Sequence, residues 1–483
     1  MELLRNLRDT LWGPAMLCLM LACGLALALR TRFVQVRRLG TAIRTVLGSL
    51  KRRERAGAGE LTPFQSLTAA LAATVGTGNI AGVTAAVTLG GPGALAWMWA
   101  AALLGMGTKY GEVLLAVHTR RKGQNGEWRG GPMYYMPWGL GRPGKVLAAA
   151  FCLFGALAAL GIGSAVQAGT ITETAFTALR SFLPGFGSRS AVGWGVGILC
   201  AASAGFTLLG GVKRLGQVTE RLVPAMAGLY ILACLGVILL RAGTLLPTLG
   251  SIFAGALNPR AVTGGAVGGL MAALSAGVRC GVFSNEAGLG SAPMAYAASG
   301  GRCPAEQGLY GIFEVFADTL VICTLTGLSL LMSGIPIPYG TAGTAALNAQ
   351  ALGSVYGPRL GPVFLALSTA LFALATILSW SFYGLRCWEY LLGSRSLGLY
   401  RGLYVLACLW GAVLGPETVW ALGETLNGLM CLPNLMALLV LSPRVGDLSR
   451  SEEKNLPETW KPAVPFGIIT PKTRRGHHAV YRR

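Results

Sequence analysis

Charge is scarce in this sequence. Only 12% of its 483 residues are Asp, Glu, Lys or Arg, against roughly 25% in a soluble domain. With 53% hydrophobic residues and a mean hydropathy of +0.57, there is too little polar surface to cover a water-soluble globule of this length. Histidine occurs three times, at His118, His477 and His478. None lies mid-way along an apolar run, and no H-E-x-x-H or nucleophile-elbow string is present, so an intramembrane hydrolase or metalloprotease lacks its general base. No G-x-x-x-x-G-K-[ST] string provides for nucleotide-driven pumping, and neither a filter loop nor a ring of charges marks a channel pore. The 11 cysteines form no C-x-x-C pair and no metal-ligand spacing, which leaves them as small packing residues. No polar stretch is long enough for a second, extramembrane domain.

What the sequence does contain is long apolar runs and 70 glycines, the small residues that let membrane helices approach closely. A spanning helix needs about 20 apolar residues. Eleven segments qualify, near 11–29, 63–89, 93–117, 146–177, 190–210, 222–240, 263–299, 306–332, 362–392, 402–414 and 417–441. The first is followed, not preceded, by a basic cluster that includes Arg30, Arg37, Arg38, Arg52, Arg53 and Arg55, a stop-transfer pattern rather than a signal peptide. The net charge of +21 fits a topology signal better than nucleic-acid binding. Of the 40 Lys and Arg residues, 31 fall on one set of alternating loops and 7 on the other, while Lys109 and Arg279 lie within spans. Positive loops stay cytoplasmic, so the expected protein is multi-pass in the plasma (inner) membrane, with its N-terminus outside and its C-terminus inside. The expected parts are an N-terminal helix and basic loop (1–61), two five-helix blocks (62–262 and 263–441) and a polar, solvated tail (442–483).

Two of the spans are poor helices. Residues 72–82 read Ala-Ala-Thr-Val-Gly-Thr-Gly-Asn-Ile-Ala-Gly, and 279–293 read Arg-Cys-Gly-Val-Phe-Ser-Asn-Glu-Ala-Gly-Leu-Gly-Ser-Ala-Pro. Each glycine weakens a helix by about 1 kcal/mol, and unwound backbone at membrane depth is tolerated only when it lines a cavity or is buried in protein. Asn79-Ile-Ala-Gly82 and Asn285-Glu-Ala-Gly288 share the pattern N-x-A-G, and each opens one of the five-helix blocks. An odd number of spans per block inverts the second block. Inverted repeats with broken first helices are the architecture of secondary transporters, in which helix ends and freed carbonyls at the midplane hold substrate and ion.

The strings Gly76-Thr-Gly-Asn-Ile-Ala-Gly82 and Gly281-Val-Phe-Ser-Asn-Glu-Ala-Gly-Leu-Gly-Ser-Ala-Pro293, with Gly130-Gly-Pro-Met-Tyr-Tyr135 and Ile377-Leu-Ser-Trp-Ser-Phe-Tyr-Gly384, resemble the signatures of the alanine/glycine:cation symporter family. The resemblance runs from about Thr62 to about Leu441. It implies an all-α, leucine-transporter-type fold of about eleven transmembrane helices, a 5+5 inverted repeat plus one N-terminal helix. It also implies symport of alanine or glycine with sodium by alternating access, with no cofactor and no enzymatic activity; a proton-coupled or uncoupled carrier is the alternative. The fourth span departs from the family pattern: Gly163-Ser-Ala-Val-Gln-Ala-Gly169 keeps Gln167 where the family has two further amide side chains.

A free amino acid presents a carboxylate, an ammonium and a side chain. Backbone N–H groups at a half-helix start suit the carboxylate, and Thr77, Gly78 and Asn79 occupy that position in the first break. Carbonyls suit the ammonium, and the second break, Gly281 to Ser284, supplies them. Gln167 is a mid-span amide able to bind substrate or simply bridge helices. Phe283 and Trp380 are candidates to limit side-chain size, with Thr376 on the helical face of Trp380. Sodium wants hard oxygen ligands; the resemblance pairs backbone near Thr74 and Gly76 with Thr376 and Ser379. Glu286, Asp318 and Arg279 are intramembrane charges, expected to form either a structural ion pair or part of ion coupling. Lys109 and Glu112 are expected to snorkel to an interface.

Overall fold

The computed structural model describes residues 2–51, 57, 60–123, 126–301, 303–341, 343–414 and 416–454. Arg52, Arg53, Arg55, Arg302 and the tail beyond Lys454, with His477 and His478, lie outside the described residues. The frame is helical, relieved by a two-residue hairpin pairing Arg121–Lys122 with Trp128–Arg129. The helices that position the site are α1 (Pro14–Arg30), α2 (Pro63–Thr74), α3 (Ala81–Gly90), α4 (Ala94–His118), α5 (Pro132–Leu160), α6 (Val166–Phe182), α7 (Arg189–Leu240), α8 (Leu270–Asn285), α9 (Pro304–Val315), α10 (Leu360–Leu392), α11 (Leu397–Val413) and α12 (Pro416–Glu453).

Local signals set the ends of these elements. α2 starts on a reciprocal capping box in which Thr62 Oγ1 accepts from the Gln65 N–H and Gln65 Oε1 from the Thr62 N–H, with Pro63 in the first turn. α7 is 52 residues long, far more than a bilayer needs at 1.5 Å per residue. It is two helices meeting at Gly211, whose φ of 65° and ψ of −163° break the ladder; glycine alone adopts that conformation without a Cβ penalty.

Eight helices among the described residues are long and apolar enough to cross a membrane, nine when the bent pair α2–α3 is one span. The chain is therefore a multi-pass membrane protein. Three of the eleven expected segments do not stand out as separate long helices: 190–210 and 222–240 share α7, and 263–299 is divided into the 16-residue α8, a non-helical stretch and a five-residue helix, Pro293–Ala297. At the centre α4 packs between α8 and α9, and α10 packs against α2, α5, α6 and α7. The basic loops converge on one end. Arg120 donates to the carbonyls of Ala297, Ser299 and Gly301, and Arg386 pairs with Glu127 at 2.6 Å.

The expected polar tail begins too early at Ser442. α12 continues to Glu453, and Ser442, Val445, Gly446 and Ser449 are buried on one of its faces. Small residues at three- and four-residue spacing admit close helix contact. Gly446 lies against the Arg30 backbone, and Ser449 Oγ bonds Tyr110 Oη at 2.9 Å.

Candidate functional site at two helix breaks

The first break lies between α2 and α3, which meet at 58°. Val75 and Gly76 are extended, and Thr77–Asn79 form one 3-10 turn. The Gly76 N–H, which a continuous helix would give to Ala72, instead donates to Asn79 Oδ1 at 2.8 Å. Asn79 N–H returns to the Gly76 carbonyl at 3.2 Å. Thr77 and Gly78 N–H find no acceptor among the described residues, and the carbonyls of Ala73 and Thr74 find no backbone donor. The break thus offers buried N–H groups on one side and free carbonyl oxygens on the other.

The second break falls later than expected. α8 is helical through Asn285, so Gly281 is inside a helix, where its open side meets Met98 and Ala101 of α4. The glycine serves close packing, and the chain departs at Glu286, which takes the left-handed conformation (φ 52°) rarely adopted by a side-chain-bearing residue. Neighbours hold it there. Lys109 Nζ donates to its carbonyl at 3.3 Å, Ser291 Oγ to Oε2 at 2.5 Å and Trp380 Nε1 to Oε1 at 3.0 Å. Ala287 N–H turns to Asn285 Oδ1 and Gly288 N–H to Glu112 Oε2. As a result the Phe283 and Ser284 carbonyls at the end of α8 receive no i+4 donor among the described residues.

The two breaks touch. A Cβ on Gly78 would lie 3.4 Å from the Phe283 ring and 3.6 Å from Ser284 Cα. Asp318 joins them from a wide turn following α9 (Phe316–Cys323). Its carboxylate accepts from Asn79 Nδ2 at 2.7 Å, Ser284 Oγ at 2.7 Å and Thr319 Oγ1 at 2.8 Å, with no cation within ion-pair reach among the described residues. Arg279, expected to pair with Asp318 or Glu286, does neither. It reaches out of the bundle to Glu424 at 3.1 Å, and Arg8 approaches the same carboxylate at 3.6 Å. Arg279 is six residues before Asn285, more than a turn from the break, and 35% of its side chain is exposed. A pair this wet is worth under about 1 kcal/mol. Arg279→Gln is therefore expected to lower the melting temperature of the purified protein by no more than about 3 °C; a larger loss would mean that the pair anchors α8.

The charge that does neutralise Glu286's surroundings is Lys109. It is fully buried, 3.2 Å from Glu314, rather than snorkelling as expected. Its position on α4 faces α9, and Glu112, one turn on, faces the break. Asn434 Nδ2 donates to Glu112 Oε1 at 2.6 Å and to the Gly288 carbonyl at 2.9 Å, and Tyr135 Oη donates to Asn434 Oδ1. Tyr296 Oη completes Glu314 at 2.9 Å. The sequence reading missed Glu314, Asn434 and the partnership of Lys109. Its one available clue was the i, i+3 spacing of Lys109 and Glu112 on a single helix face.

α10 lies beside the first break. A Cβ on Gly76 would come 2.8 Å from Thr376 Oγ1, and Ser379 Oγ is buried with no hydrogen-bond partner among the described residues. Trp380 packs on Gly163, whose Cβ would fall 2.5 Å from that of Trp380. One turn on from Gly163, Gln167 Nε2 bonds the Ile162 carbonyl while its Oε1 is buried and unpaired. The two aromatics do not form a pair. Phe283 sits between Trp12 and Trp420, at centroid distances of 6.4 and 6.2 Å, and Trp380 meets Tyr383 at 5.8 Å.

Comparison with known proteins places the fold and the family. The crystal structure of the transporter MhsT in complex with L-phenylalanine superposes with a TM-score of 0.57 over 82% of this chain and 100% of that one, at 14% identity; the shared fold is of leucine-transporter type. The sodium/alanine symporter AgcS of Methanococcus maripaludis is 40% identical over 94% of this chain and 99% of its own. GlnT of Bacillus subtilis, named a probable sodium/glutamine symporter, is 35% identical over 90% of this chain and 87% of its own. The model of the sodium:alanine symporter family matches residues 1–462. With two abutting helix breaks at its centre and that match along nearly its whole length, the chain belongs to the sodium:alanine symporter family.

Proposed function

We propose that this protein carries a small neutral amino acid, alanine or glycine, across the plasma membrane together with sodium by alternating access. The observation that carries this reading is the facing pair of breaks, with unpaired N–H groups at Thr77 and Gly78 and unpaired carbonyls at Phe283 and Ser284. Those groups match the two charged ends of a free amino acid. Gly78 lies directly on Phe283 and Ser284, and so close an approach of the two breaks favours a substrate with a small side chain. Trp380 and Gln167 flank it from α10 and α6, and Asn79 holds the first break in shape. Sodium takes the carbonyls near Thr74 and Gly76 with the hydroxyls of Thr376 and Ser379, hard oxygens for a hard cation. Ion binding at the α2–α10 contact orders the first break, and the amino acid then meets a preformed site; coupling is the ion's differential affinity for the two states.

In this reading the chain has eleven spans. Residues 62–262 and 263–441 are the inverted repeats, counted by taking α7 as two spans and α8 with Pro293–Ala297 as one broken span. The end that gathers Arg120, Arg129 and Arg386 is cytoplasmic.

Uptake of labelled alanine into proteoliposomes tests the function. An inward sodium gradient is expected to drive accumulation above equilibrium, and choline in its place is not. Equal, non-accumulating uptake in both would replace symport by facilitation. Ser379→Ala removes a hydroxyl that has no other partner. It is expected to raise the sodium concentration for half-maximal uptake about tenfold, the loss of roughly 1.4 kcal/mol for one oxygen on a charge. The maximal rate at saturating sodium stays near wild type, and an unchanged sodium dependence removes Ser379 from the cation site.

A further inference from the structure

A second polar site lies away from the breaks, at the end where the basic loops converge. A cavity of about 130 Å³ opens between α7, α10 and α11 beside the 121–129 hairpin. Three arginines line it, Arg129, Arg386 and Arg401, against two acids, Glu127 and Glu389. Both acids are already used: Arg129 holds Glu389 at 2.8 Å, and Arg386 holds Glu127 at 2.6 Å and Glu389 at 3.0 Å. Arg401 has no ion pair among the described residues, and its Nε is buried without a hydrogen-bond partner. A guanidinium facing a partly closed cavity with its donors unused is costly unless an anion completes it.

The flanks of the cavity say what kind of anion. On α7, Phe206 and Leu209 are 61% and 78% exposed, and on α11 Leu399 is 63% exposed. These exposed apolar side chains sit on helices that span the membrane, so an occupant with a negative head and an apolar tail fits both the cavity and its flank. Arg214, with its guanidinium 4.3 Å from the Phe206 ring, adds positive charge on the same flank. Basic pockets between membrane helices on the cytoplasmic side are a recognised form of anionic-lipid site. We propose that this cavity binds the phosphodiester headgroup of an anionic phospholipid through Arg401, with the acyl chains along α7 and α11. The lipid would hold α11 to the turn at Gly211 and so stabilise one end of the bundle.

The test uses the purified full-length protein in detergent, titrated with phosphatidylglycerol, phosphatidylcholine or inorganic phosphate while thermal unfolding is followed. Phosphatidylglycerol is expected to raise the melting temperature by about 2–4 °C, and the other two to leave it unchanged. Arg401→Gln is expected to weaken the apparent affinity for phosphatidylglycerol about fivefold; Arg395→Gln, at an exposed residue outside the cavity, is expected to change nothing. Should Arg401→Gln fail to fold, a diazirine-tailed phosphatidylglycerol is crosslinked to the unaltered protein. Label concentrated on 206–215 and 397–403, and absent with the phosphatidylcholine analogue, supports the site. Equal stabilisation of Arg401→Gln and wild type, the same shift with inorganic phosphate alone, or label spread over all helices overturns it. Transport is not read, so failure here leaves the symport proposal untouched.

Discussion

Replacing Lys109 by methionine is expected to leave almost no folded protein. Lys109 is the only cation in a fully buried cluster that holds Glu112, Glu286 and Glu314 among the described residues. Methionine keeps an unbranched apolar stem one heavy atom shorter than lysine, so the packing of the stem against Gly311 is largely preserved while the charge and its donors are lost. Breaking a buried pair by removing one partner costs about 3–5 kcal/mol, because an uncompensated charge remains, and Glu286 also loses the donor that holds its left-handed carbonyl. The measurement is the monodisperse yield in detergent and the melting temperature. The double variant Lys109→Met/Glu314→Gln removes both ends of the 3.2 Å pair, and it is expected to recover only part of the loss, since Glu112 and Glu286 are still without a cation and the Glu286 carbonyl without its donor. A single variant as stable as wild type would show that the cluster carries no net charge needing compensation.

Asp318→Asn is expected to separate function from folding. The carboxylate stands between the breaks with hydrogen bonds from Asn79, Ser284 and Thr319. An asparagine has the same shape. Its carbonyl still accepts from Asn79, and its NH₂ can donate to the hydroxyl oxygens of Ser284 or Thr319, whose own protons, both given to one carboxylate oxygen, must turn to other acceptors, so the loss falls on the joint between the breaks while the helices outside it keep their packing and the protein still folds. The charge-assisted share of three bonds is lost, about 3 kcal/mol in sum if each loses roughly 1 kcal/mol. Alanine uptake is therefore expected to fall about 100-fold. Uptake within a factor of about three of wild type would mean that Asp318 is structural filling and that the breaks keep their relative position without it.

Much of the frame was legible from local signals, because a membrane protein writes its frame in composition. Apolar runs, Gly76 and Gly78 in the first break, and the basic loops all act through the backbone or the bilayer and need no partner. The second break was legible only in kind. Gly281 looked like the breaker, yet a glycine inside a helix has two uses, unwinding and close packing, and the sequence does not distinguish them. What decides is the packing of α8 against α4, where Met98 and Ala101 stand in van der Waals contact with position 281 and the helix runs on through it. The departure at Glu286 depends likewise on Lys109, Ser291 and Trp380, which lie from 5 to 177 residues away in the chain.

The charges divide in the same way. That Lys109, Arg279, Glu286 and Asp318 lie within apolar segments is fixed by the sequence, and so is the expectation that each needs a partner, since an isolated charge in a low-dielectric interior is prohibitively costly. Which partner it takes is not. Arg279 turned outward to Glu424, Lys109 turned inward to Glu314, and Asp318 was satisfied by an amide and two hydroxyls with no cation among the described residues. By itself the sequence determined a many-helix membrane protein with two weak points and a positive side, because hydrophobicity, glycine and the bilayer act on each residue separately. Only the tertiary structure decided where the second helix stops and who neutralises whom, because hydrogen bonds and ion pairs act within about 4 Å, and that distance is set by how distant helices pack.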